Sequence, residues 1–303
     1  MTWGCIDAAR RFRRDQHLRF VIGGQPVGWI RAGDVRWLAH WPDVFAISER
    51  CVVMADAFDT VQARSAALGS VMGALAAHGL IRGWRNETYA IRNAFDDPPL
   101  AFIERAASRF FGTTTYAVHL NGVVVGLDRE APPLRVGGAA PPVAPRAADG
   151  EPYFWIARRS DTKPTDPGML DSLVGGGIGW GLPVFDTLVK EAYEESGIDA
   201  SLLVSTASAG RTIHVLQEID EGTQAEQLFV YDLLVPDDFA PRNTDGEVAE
   251  HRLVSRTQLL DIVRAGRMTV DASLATLDCL LRRGWLDSAE CGAFDVLLQA
   301  PGD

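Results

Sequence analysis

Apolar and polar residues alternate along the first third of the chain in patterns that predict short strands and a few helices. Residues 19–30 predict a β-hairpin, because two β-rich runs flank a pair of glycines. Residues 63–79 predict a helix, because Ala, Leu and Met recur at helical spacing and Gly79 is a typical helix stop. Further predicted elements are a short surface helix over 6–19, a strand over 86–92 and a helix over 100–111.

The rest of the chain continues this alternation of strands and helices. Residues 116–125 predict a second hairpin, because Asn121 and Gly122 stand between two β-rich runs. Residues 185–196 predict a helix, because apolar side chains recur about every 3.6 residues and Gly197 ends the run. Other predicted elements are a surface loop over 132–152, strands over 153–156 and 227–235, helices over 256–265 and 272–283, and a short helix over 288–298.

Length and composition suit a globular chain of two domains. With 303 residues, we expect an N-terminal α+β domain over 1–112 and a second domain over 113–303. The net charge of −11 argues against nucleic acid as a partner. Since the chain shows no secretory signal, no membrane-spanning stretch and no metal-binding or disulfide pattern among its four cysteines, we expect a cytoplasmic protein without a membrane partner.

Candidate chemistry is concentrated in residues 175–198, where a glycine-rich loop leads into the predicted helix. Glu191, Glu194 and Glu195 stand at i, i+3 and i+4, so their carboxylates lie within about one-third of the helix circumference. Mg²⁺ or Mn²⁺ is the cation that prefers such oxygen ligands, and the glycines let backbone groups approach a metal and a phosphate. The alternative is a solvated acidic helix face, and the glycine run favours the metal site.

This segment resembles the Nudix box, whose pattern is G-x5-E-x7-R-E-U-x-E-E-x-G-U, where U is an apolar residue. The residues in register with it are Gly176, Glu191, Ala192, Glu194, Glu195, Gly197 and Ile198. Two positions depart from the pattern, since Leu182 stands where the box has its first glutamate and Lys190 stands where it has arginine. In the family those two side chains brace the loop against the helix, so we expect a differently braced loop here.

The resemblance extends to the thiamine pyrophosphokinase-related Nudix hydrolases, which place their own N-terminal domain ahead of the Nudix fold. The segments that carry it are residues 83–89, 103–107, 110–112, 119–122, 158–171 and 277–284. The resemblance implies an α+β fold class, with an N-terminal α+β domain followed by a Nudix α/β/α sandwich that has a mixed β-sheet.

The same resemblance implies a hydrolase that depends on Mg²⁺ or Mn²⁺ and cleaves the diphosphate of a small organic molecule. The expected substrates are thiamine-diphosphate-like compounds, and the products are a monophosphate and phosphate. Glu191, Glu194 and Glu195 are the implied metal ligands, together with the carbonyl of Gly175. Glu194 and Glu195 are also the residues on which we expect the hydrolytic step to depend.

Two loops supply further candidates. One is the loop between a predicted strand and a predicted helix, where Glu247 is the candidate for a catalytic carboxylate that comes late in the chain. Asp245 and Glu250 are its rivals, and the alternative is an exposed acidic turn without a catalytic role. The Pro-rich loop before the box offers three cations that suit phosphate oxygens, or else form an ordinary basic loop: Arg158, Arg159 and Lys163. Two tryptophans flank this region and suit either ring stacking or core packing, and one histidine is expected to be structural: Trp155, Trp180 and His119.

The sequence is also compatible with two other functions. One is hydrolysis of nucleoside-diphosphate-linked compounds such as ADP-ribose or NADH, which would release a nucleoside monophosphate. The other is a non-catalytic Nudix-fold protein that senses a ligand, which Leu182 and Lys190 favour and the intact glutamates oppose. The N-terminal domain carries no catalytic cluster of its own, and we consider two roles for it, shaping the mouth of the site and forming a homodimer.

Overall fold

The computed structural model of the protein describes residues 3–124 and 151–301. The predicted surface loop over 132–152 lies outside the described residues except for its last two positions. The strands of these two stretches form three sheets, which have four, seven and two strands. Within the same stretches, no helix has both the length and the apolar character needed to cross a membrane.

The first sheet has four strands and packs against one long helix. In chain order, the α-helices and strands up to residue 77 are α1 (Gly4–Ala8), β1 (His17–Ile22), β2 (Gln25–Arg31), α2 (Val35–Leu38), β3 (Phe45–Ile47), β4 (Cys51–Met54) and α3 (Val61–Ala77). The strand order is β2-β1-β4-β3. β1 and β2 form the predicted hairpin, and Gly23 and Gly24 at its turn both have positive φ. The helix predicted over 63–79 is confirmed as α3, which buries Leu68, Val71 and Leu75 in the core of this sheet.

A two-stranded sheet follows, and it corrects the helix predicted over 100–111. The elements are β5 (Thr88–Ile91), β6 (Ala101–Glu104), a 3₁₀ turn over Arg105–Ala107 and α4 (Ser108–Phe111). β6 pairs with β5 along its whole length, so the first part of the predicted helix is a strand. Pairing with a distant segment outweighs the local helical pattern here. Gly112 ends α4 in the left-handed conformation, as its position predicts.

The second large sheet is mixed. Its strands are β7 (Thr114–Val124), β8 (Tyr153–Arg159), β9 (Leu170–Asp171), β10 (Val174–Gly177), β11 (Ala207–Ile219), β12 (Gly222–Leu234) and β13 (Val248–Ser255). The main order is β11-β12-β7-β8-β13, while β10 pairs with β7 and β9 pairs with β8. β7 and β12 are parallel, and the other pairs are antiparallel.

Helices cover both faces of this mixed sheet. They are α5 (Val184–Ser196) and α6 (Ala200–Thr206) on one face, and α7 (Arg256–Arg264) and α8 (Val270–Arg282) on the other. Leu188 of α5 and Leu277 of α8 lie in separate apolar cores, one on each side of the sheet. The implied α/β/α sandwich with a mixed sheet, preceded by α+β elements, is therefore confirmed. The long strand β11 is not among the predicted elements.

The hairpin predicted over 116–125 is wrong, because Asn121 and Gly122 lie inside β7. The side-chain amide of Asn121 is buried and donates to Oδ1 of Asp232 at 3.1 Å. A Cβ on Gly122 would collide with the side chain of Leu173. Asn121 is therefore explained by a buried contact with the neighbouring strand β12, and Gly122 by close packing against Leu173, rather than by a turn.

The first helix is shorter than the one predicted over 6–19, and it is buried. Trp3 and Ile6 join the apolar core between the mixed sheet and α8. The backbone N–H of Leu216 in β11 donates to the carbonyl of Ala9 at 2.9 Å. The beginning of the chain thus packs on the second sheet, and the domain boundary at 112 stays a prediction.

Candidate active site

The three glutamates of the predicted metal site lie on α5. The helix begins after Pro183 and ends at Gly197, whose φ of 65° suits glycine. Its apolar face packs in the core of the sandwich, and this orientation turns Glu191 and Glu194 toward a cleft. Glu195, on the same helix, lies behind the cleft surface and is buried. One helix therefore supplies two carboxylates to the cleft and one beneath it.

β10 passes so close to its neighbours that only glycine fits at two positions. A Cβ on Gly176 would collide with the side chain of Glu191. A Cβ on Gly177 would collide with the hydroxyl of Tyr89. The glycines of the predicted loop therefore allow a backbone edge to touch both the carboxylate helix and the two-stranded sheet.

Glu195 is held in place by two groups. Its Oε2 accepts a hydrogen bond from the backbone N–H of Gly175 at 2.9 Å, and its Oε1 lies 3.1 Å from Nζ of Lys163. Burial raises the pKa of Glu195 to about 7, although the Lys163 ammonium and the Gly175 N–H act in the opposite direction. The carboxylate is thus buried, oriented and paired with one cation.

Glu191 and Glu194 share a different lysine. Nζ of Lys190 lies 3.0 Å from Oε1 of Glu191 and 2.9 Å from Oε2 of Glu194. Burial raises the pKa of the Glu191 carboxyl, and the Lys190 ammonium opposes this change. Lys190, which stands where the box has arginine, therefore pairs with two glutamates of its own helix, and the differently braced loop stays a prediction.

Glu247 reaches the same wall from the loop before β13. Its Oε2 lies 2.6 Å from Nζ of Lys163, which also contacts Glu195. Burial would raise the pKa of Glu247, but the Lys163 ammonium and the guanidinium groups of Arg85 and Arg105 together lower it. Among the rival carboxylates, Asp245 also lines the cleft, whereas Glu250 lies on β13 and pairs with Arg252 at 2.8 Å. Lys163 thus joins Glu247 to the glutamates of α5.

The two predicted phosphate-binding arginines are engaged in ion pairs of their own. Nη1 of Arg158 lies 2.8 Å from Asp161, and Arg158 does not line the cleft. Nη1 of Arg159 lies 2.6 Å from Asp171, and Arg159 does line the cleft. Their contact with phosphate stays a prediction, which the position of Arg159 favours over that of Arg158.

Of the two tryptophans considered for stacking, only Trp180 is placed for it. Trp155 is 3% exposed and packs against Phe239, whereas Trp180 is 41% exposed and lines the cleft. Leu182, at the position of the missing box glutamate, lines the same cleft and is 44% exposed. His119 is buried with Nδ1 3.2 Å from Oγ of Ser172, in agreement with the structural role expected for it.

The cleft lies between the mixed sheet and the two-stranded sheet, and its volume is about 830 Å³. The backbone N–H of Trp180 donates to the carbonyl of Thr88 at 2.8 Å, which joins the glycine loop to β5. Arg85 and Arg105, which flank the strands of the two-stranded sheet, line the same cleft, and Nη1 of Arg85 lies 3.5 Å from Oε1 of Glu247. Sequence reasoning assigned these arginines no role, although both belong to segments that carry the family resemblance.

The carboxylate wall suits a divalent cation in the chemistry of its donors. Mg²⁺ and Mn²⁺ bind carboxylate oxygens, and four glutamates supply them here: Glu191, Glu194, Glu195 and Glu247. Within residues 3–124 and 151–301, however, no three His, Cys, Asp or Glu side chains are grouped as a complete metal site. Since Lys163 and Lys190 hold the glutamates as two pairs, a bound cation would compete with two ammonium groups for these oxygens.

Comparison with known proteins places this geometry in a family. The NUDIX domain family model matches residues 139–272, and a domain of unknown function (DUF4743) matches residues 2–115. Nudix hydrolase 24, chloroplastic, of Arabidopsis thaliana is 34% identical over 285 residues, which cover 93% of this chain and 72% of that protein. Nudix hydrolase 20, chloroplastic, of the same plant is 32% identical over 292 residues, with the same coverage of both chains. The chain therefore belongs to the Nudix hydrolases, which cleave pyrophosphate bonds.

Solved structures with similar folds include the protein DR0079 of Deinococcus radiodurans. It is 20% identical, with a TM-score of 0.44, and the match covers 66% of this chain and 100% of that chain. The NUDIX domain of Shewanella oneidensis NrtR, solved with ADP ribose, is 11% identical with a TM-score of 0.40, and the match covers 57% of this chain and 90% of that chain.

Proposed function

We propose that this protein is a Mg²⁺- or Mn²⁺-dependent diphosphatase that splits an organic diphosphate, with thiamine-diphosphate-like compounds as its first candidates, into a monophosphate and phosphate. The observation that carries the proposal is a cleft of small-molecule size that Glu191, Glu194 and Glu247 line, with Glu195 buried directly behind it and joined to Glu247 by Lys163. Glu191, Glu194 and Glu195 are the proposed metal ligands, with the carbonyl of Gly175 beside them.

We assign metal binding and proton transfer to different glutamates of the carboxylate wall. A bound divalent cation would neutralise charge on the diphosphate and make a water molecule more acidic. Glu191 and Glu194 present oxygens to the cleft, and Glu195 is oriented by the N–H of Gly175. Glu247 has a lowered pKa, so it is ionised at neutral pH, and this unprotonated carboxylate at the cleft is the proposed general base.

The organic part of the substrate has an apolar surface available. Trp180 and Leu182 are exposed side chains of the same cleft, beside the carboxylates. A planar heteroaromatic ring gains free energy by covering such a surface, and stacking on an indole adds to it. This surface supports a substrate that combines a ring system with a diphosphate, as thiamine-type compounds do.

Product analysis tests the proposal. The full chain is incubated with Mg²⁺ or Mn²⁺ and a panel of thiamine-type diphosphates, ADP-ribose, NADH and nucleoside triphosphates, and the products are identified by chromatography and phosphorus NMR. We expect metal-dependent release of phosphate from a thiamine-type diphosphate and none from the Glu195→Gln variant. Asp186→Asn, an exposed carboxylate at the other end of the same helix, is the matched control and keeps the activity.

The other outcomes assign different functions. AMP released from ADP-ribose or NADH, without turnover of thiamine-type compounds, would move the substrate to the nucleoside-diphosphate class. Binding of a compound from the panel without turnover of any would identify a sensor, and restoring glutamate and arginine at Leu182 and Lys190 would then be the next step.

A further inference from the structure

We propose that the N-terminal half of the chain supplies the phosphate-binding wall of this site, and that Arg85 and Arg105 bind the non-bridging oxygens of the substrate diphosphate. The inference rests on the proposed function for the class of substrate. It assigns a role to two sequence segments, residues 83–89 and 103–107, that the proposed metal chemistry does not use.

The two segments brace each other through their backbones. Arg85 precedes β5, and its backbone N–H donates to the buried carboxylate of Glu104 at 3.0 Å. Arg105 follows β6, and its backbone N–H donates to the carbonyl of Glu87 at 2.9 Å. Because β5 and β6 pair along their length, both arginines leave the sheet at the same end.

A shared carboxylate holds the two guanidinium groups. Nη1 of Arg105 lies 2.8 Å from Oε2 of Glu87, and Nη1 of Arg85 lies 3.9 Å from Oε1 of the same side chain. These contacts use one terminal nitrogen of each group. A guanidinium carries five N–H donors in a fixed fork, so each arginine keeps donors for a phosphate. The pair is therefore oriented before an anion binds, which lowers the entropic cost of binding.

Both arginines lie next to the groups of the opposite wall. Nη1 of Arg85 is 3.5 Å from Oε1 of Glu247. The guanidinium of Arg105 lies against β10, where its Cζ would be 3.3 Å from a Cβ placed on Gly177. Because Arg85 and Arg105 line the same cleft as Glu191 and Glu194, a diphosphate bound there lies near both the arginines and the carboxylates of α5.

The two halves of the chain contribute charges in different proportions to the lining of the cleft. The chain carries a net charge of −11, yet the wall from the N-terminal half is mostly basic. Besides Arg85 and Arg105 it includes Arg31, Arg82 and Arg109, against the carboxylates of Asp34 and Glu87. Carboxylates predominate on the other wall. Such an arrangement attracts an anion to one wall and a cation to the other.

Binding of inorganic pyrophosphate in the presence of Mg²⁺, measured by isothermal titration calorimetry on the full chain, tests the inference apart from catalysis. We expect Arg85→Gln and Arg105→Gln each to weaken binding by about 10-fold or more, since hydrogen bonds between charged groups are lost. Arg36→Gln, an exposed arginine on α2 outside the cleft, is the matched control and keeps the affinity. Arg105→Lys preserves the charge without the fork and should restore part of the loss.

Kinetics with the substrate found by product analysis supply the second measurement. We expect KM to rise in both glutamine variants, with circular dichroism spectra equal to that of the unmodified chain. If a glutamine variant does not fold, Arg85→Lys and Arg105→Lys take its place, because a role in bidentate phosphate binding predicts weaker binding for them too.

The outcomes separate this inference from the proposed function. Unchanged pyrophosphate affinity in the variants, or no binding by the unmodified chain, would overturn the inference even if turnover is observed. Arginine-dependent pyrophosphate binding without turnover of any diphosphate would overturn the proposed function and leave the phosphate-binding wall in place.

Discussion

At the scale of single residues, we expect hydrolysis to depend most strongly on Glu195. It is buried between the N–H of Gly175 and the ammonium of Lys163, so a glutamine of the same shape keeps one hydrogen bond and loses the charge. We expect Glu195→Gln to lower kcat by several orders of magnitude while the far-UV circular dichroism spectrum is unchanged. Turnover near that of the unmodified chain by a folded variant would remove Glu195 from the mechanism.

His17 gives a prediction for pH dependence. Its ring is buried, with Nδ1 2.8 Å from the carbonyl of Arg13. Burial lowers the pKa of His17, although the hydrogen bond to Arg13 and the Glu218 carboxylate act against this and the guanidinium groups of Arg31 and Arg13 act with it. His17 is therefore protonated at a higher pH in the unfolded chain than in the folded chain. Acidification below about pH 6.5 consequently favours unfolding.

The variant His17→Gln removes this titration. Between pH 7 and pH 5, we expect the unmodified chain to lose more free energy of unfolding than His17→Gln, measured by urea denaturation at both pH values. The comparison of the two slopes cancels any constant change caused by the substitution. Equal slopes would show that His17 does not titrate differently in the folded and unfolded states.

At the scale of elements, glycines determine how closely neighbouring segments pack. Gly112 has a φ of 59°, and a Cβ there would collide with the backbone of Trp29 in β2. Gly24 has a φ of 75°, and a Cβ there would meet no atom within 4 Å. The two positions therefore separate the cost of the left-handed conformation from the cost of a collision.

We expect Gly24→Ala to lower the free energy of unfolding by about 1–2 kcal/mol, the cost of the conformation alone. Gly112→Ala should lower it by a further amount of about 1–3 kcal/mol, because α4 and β2 must also move apart. Urea denaturation of both variants measures the difference. If both variants lost the same free energy of unfolding, α4 would be able to move away from β2 without an energetic cost.

At the scale of the whole molecule, the beginning of the chain stabilises the second sheet. Trp3 is 5% exposed in the core beside α8, and its indole N–H donates to the carbonyl of Glu290 at 3.0 Å. Trp84 is 42% exposed, and its indole N–H donates to Oδ1 of Asn86 at 2.9 Å. Each tryptophan thus donates one hydrogen bond from its indole, and the two side chains differ in burial.

We expect Trp3→Ala to lower the free energy of unfolding by about 3–5 kcal/mol, the usual cost of removing a buried large side chain. Trp84→Ala is the control, with an expected loss below about 1 kcal/mol. Thermal and urea denaturation of the full chain measure both. A small loss for Trp3→Ala would mean that the first residues contribute little to the second core.

Prediction from sequence succeeds for elements that one local pattern determines. α3 and α5 follow from helical spacing and a terminal glycine, and the hairpin of β1 and β2 follows from two β-rich runs around a glycine pair. It fails over 100–111 and at Asn121 and Gly122, because partners distant in sequence decide both. β6 is a strand because β5 lies beside it, and Gly122 is glycine because Leu173 packs against it.

The same distinction applies to the candidate site. The sequence alone predicts that Glu191, Glu194 and Glu195 lie on one side of a helix beside a glycine run, because spacing within one helix is a local property. The tertiary structure is needed to see that Lys163 joins Glu195 to Glu247, and that Arg85 and Arg105 line the same cleft as Glu247. Those groups come from five distant segments, and the packing of two sheets, which no local pattern encodes, brings them together.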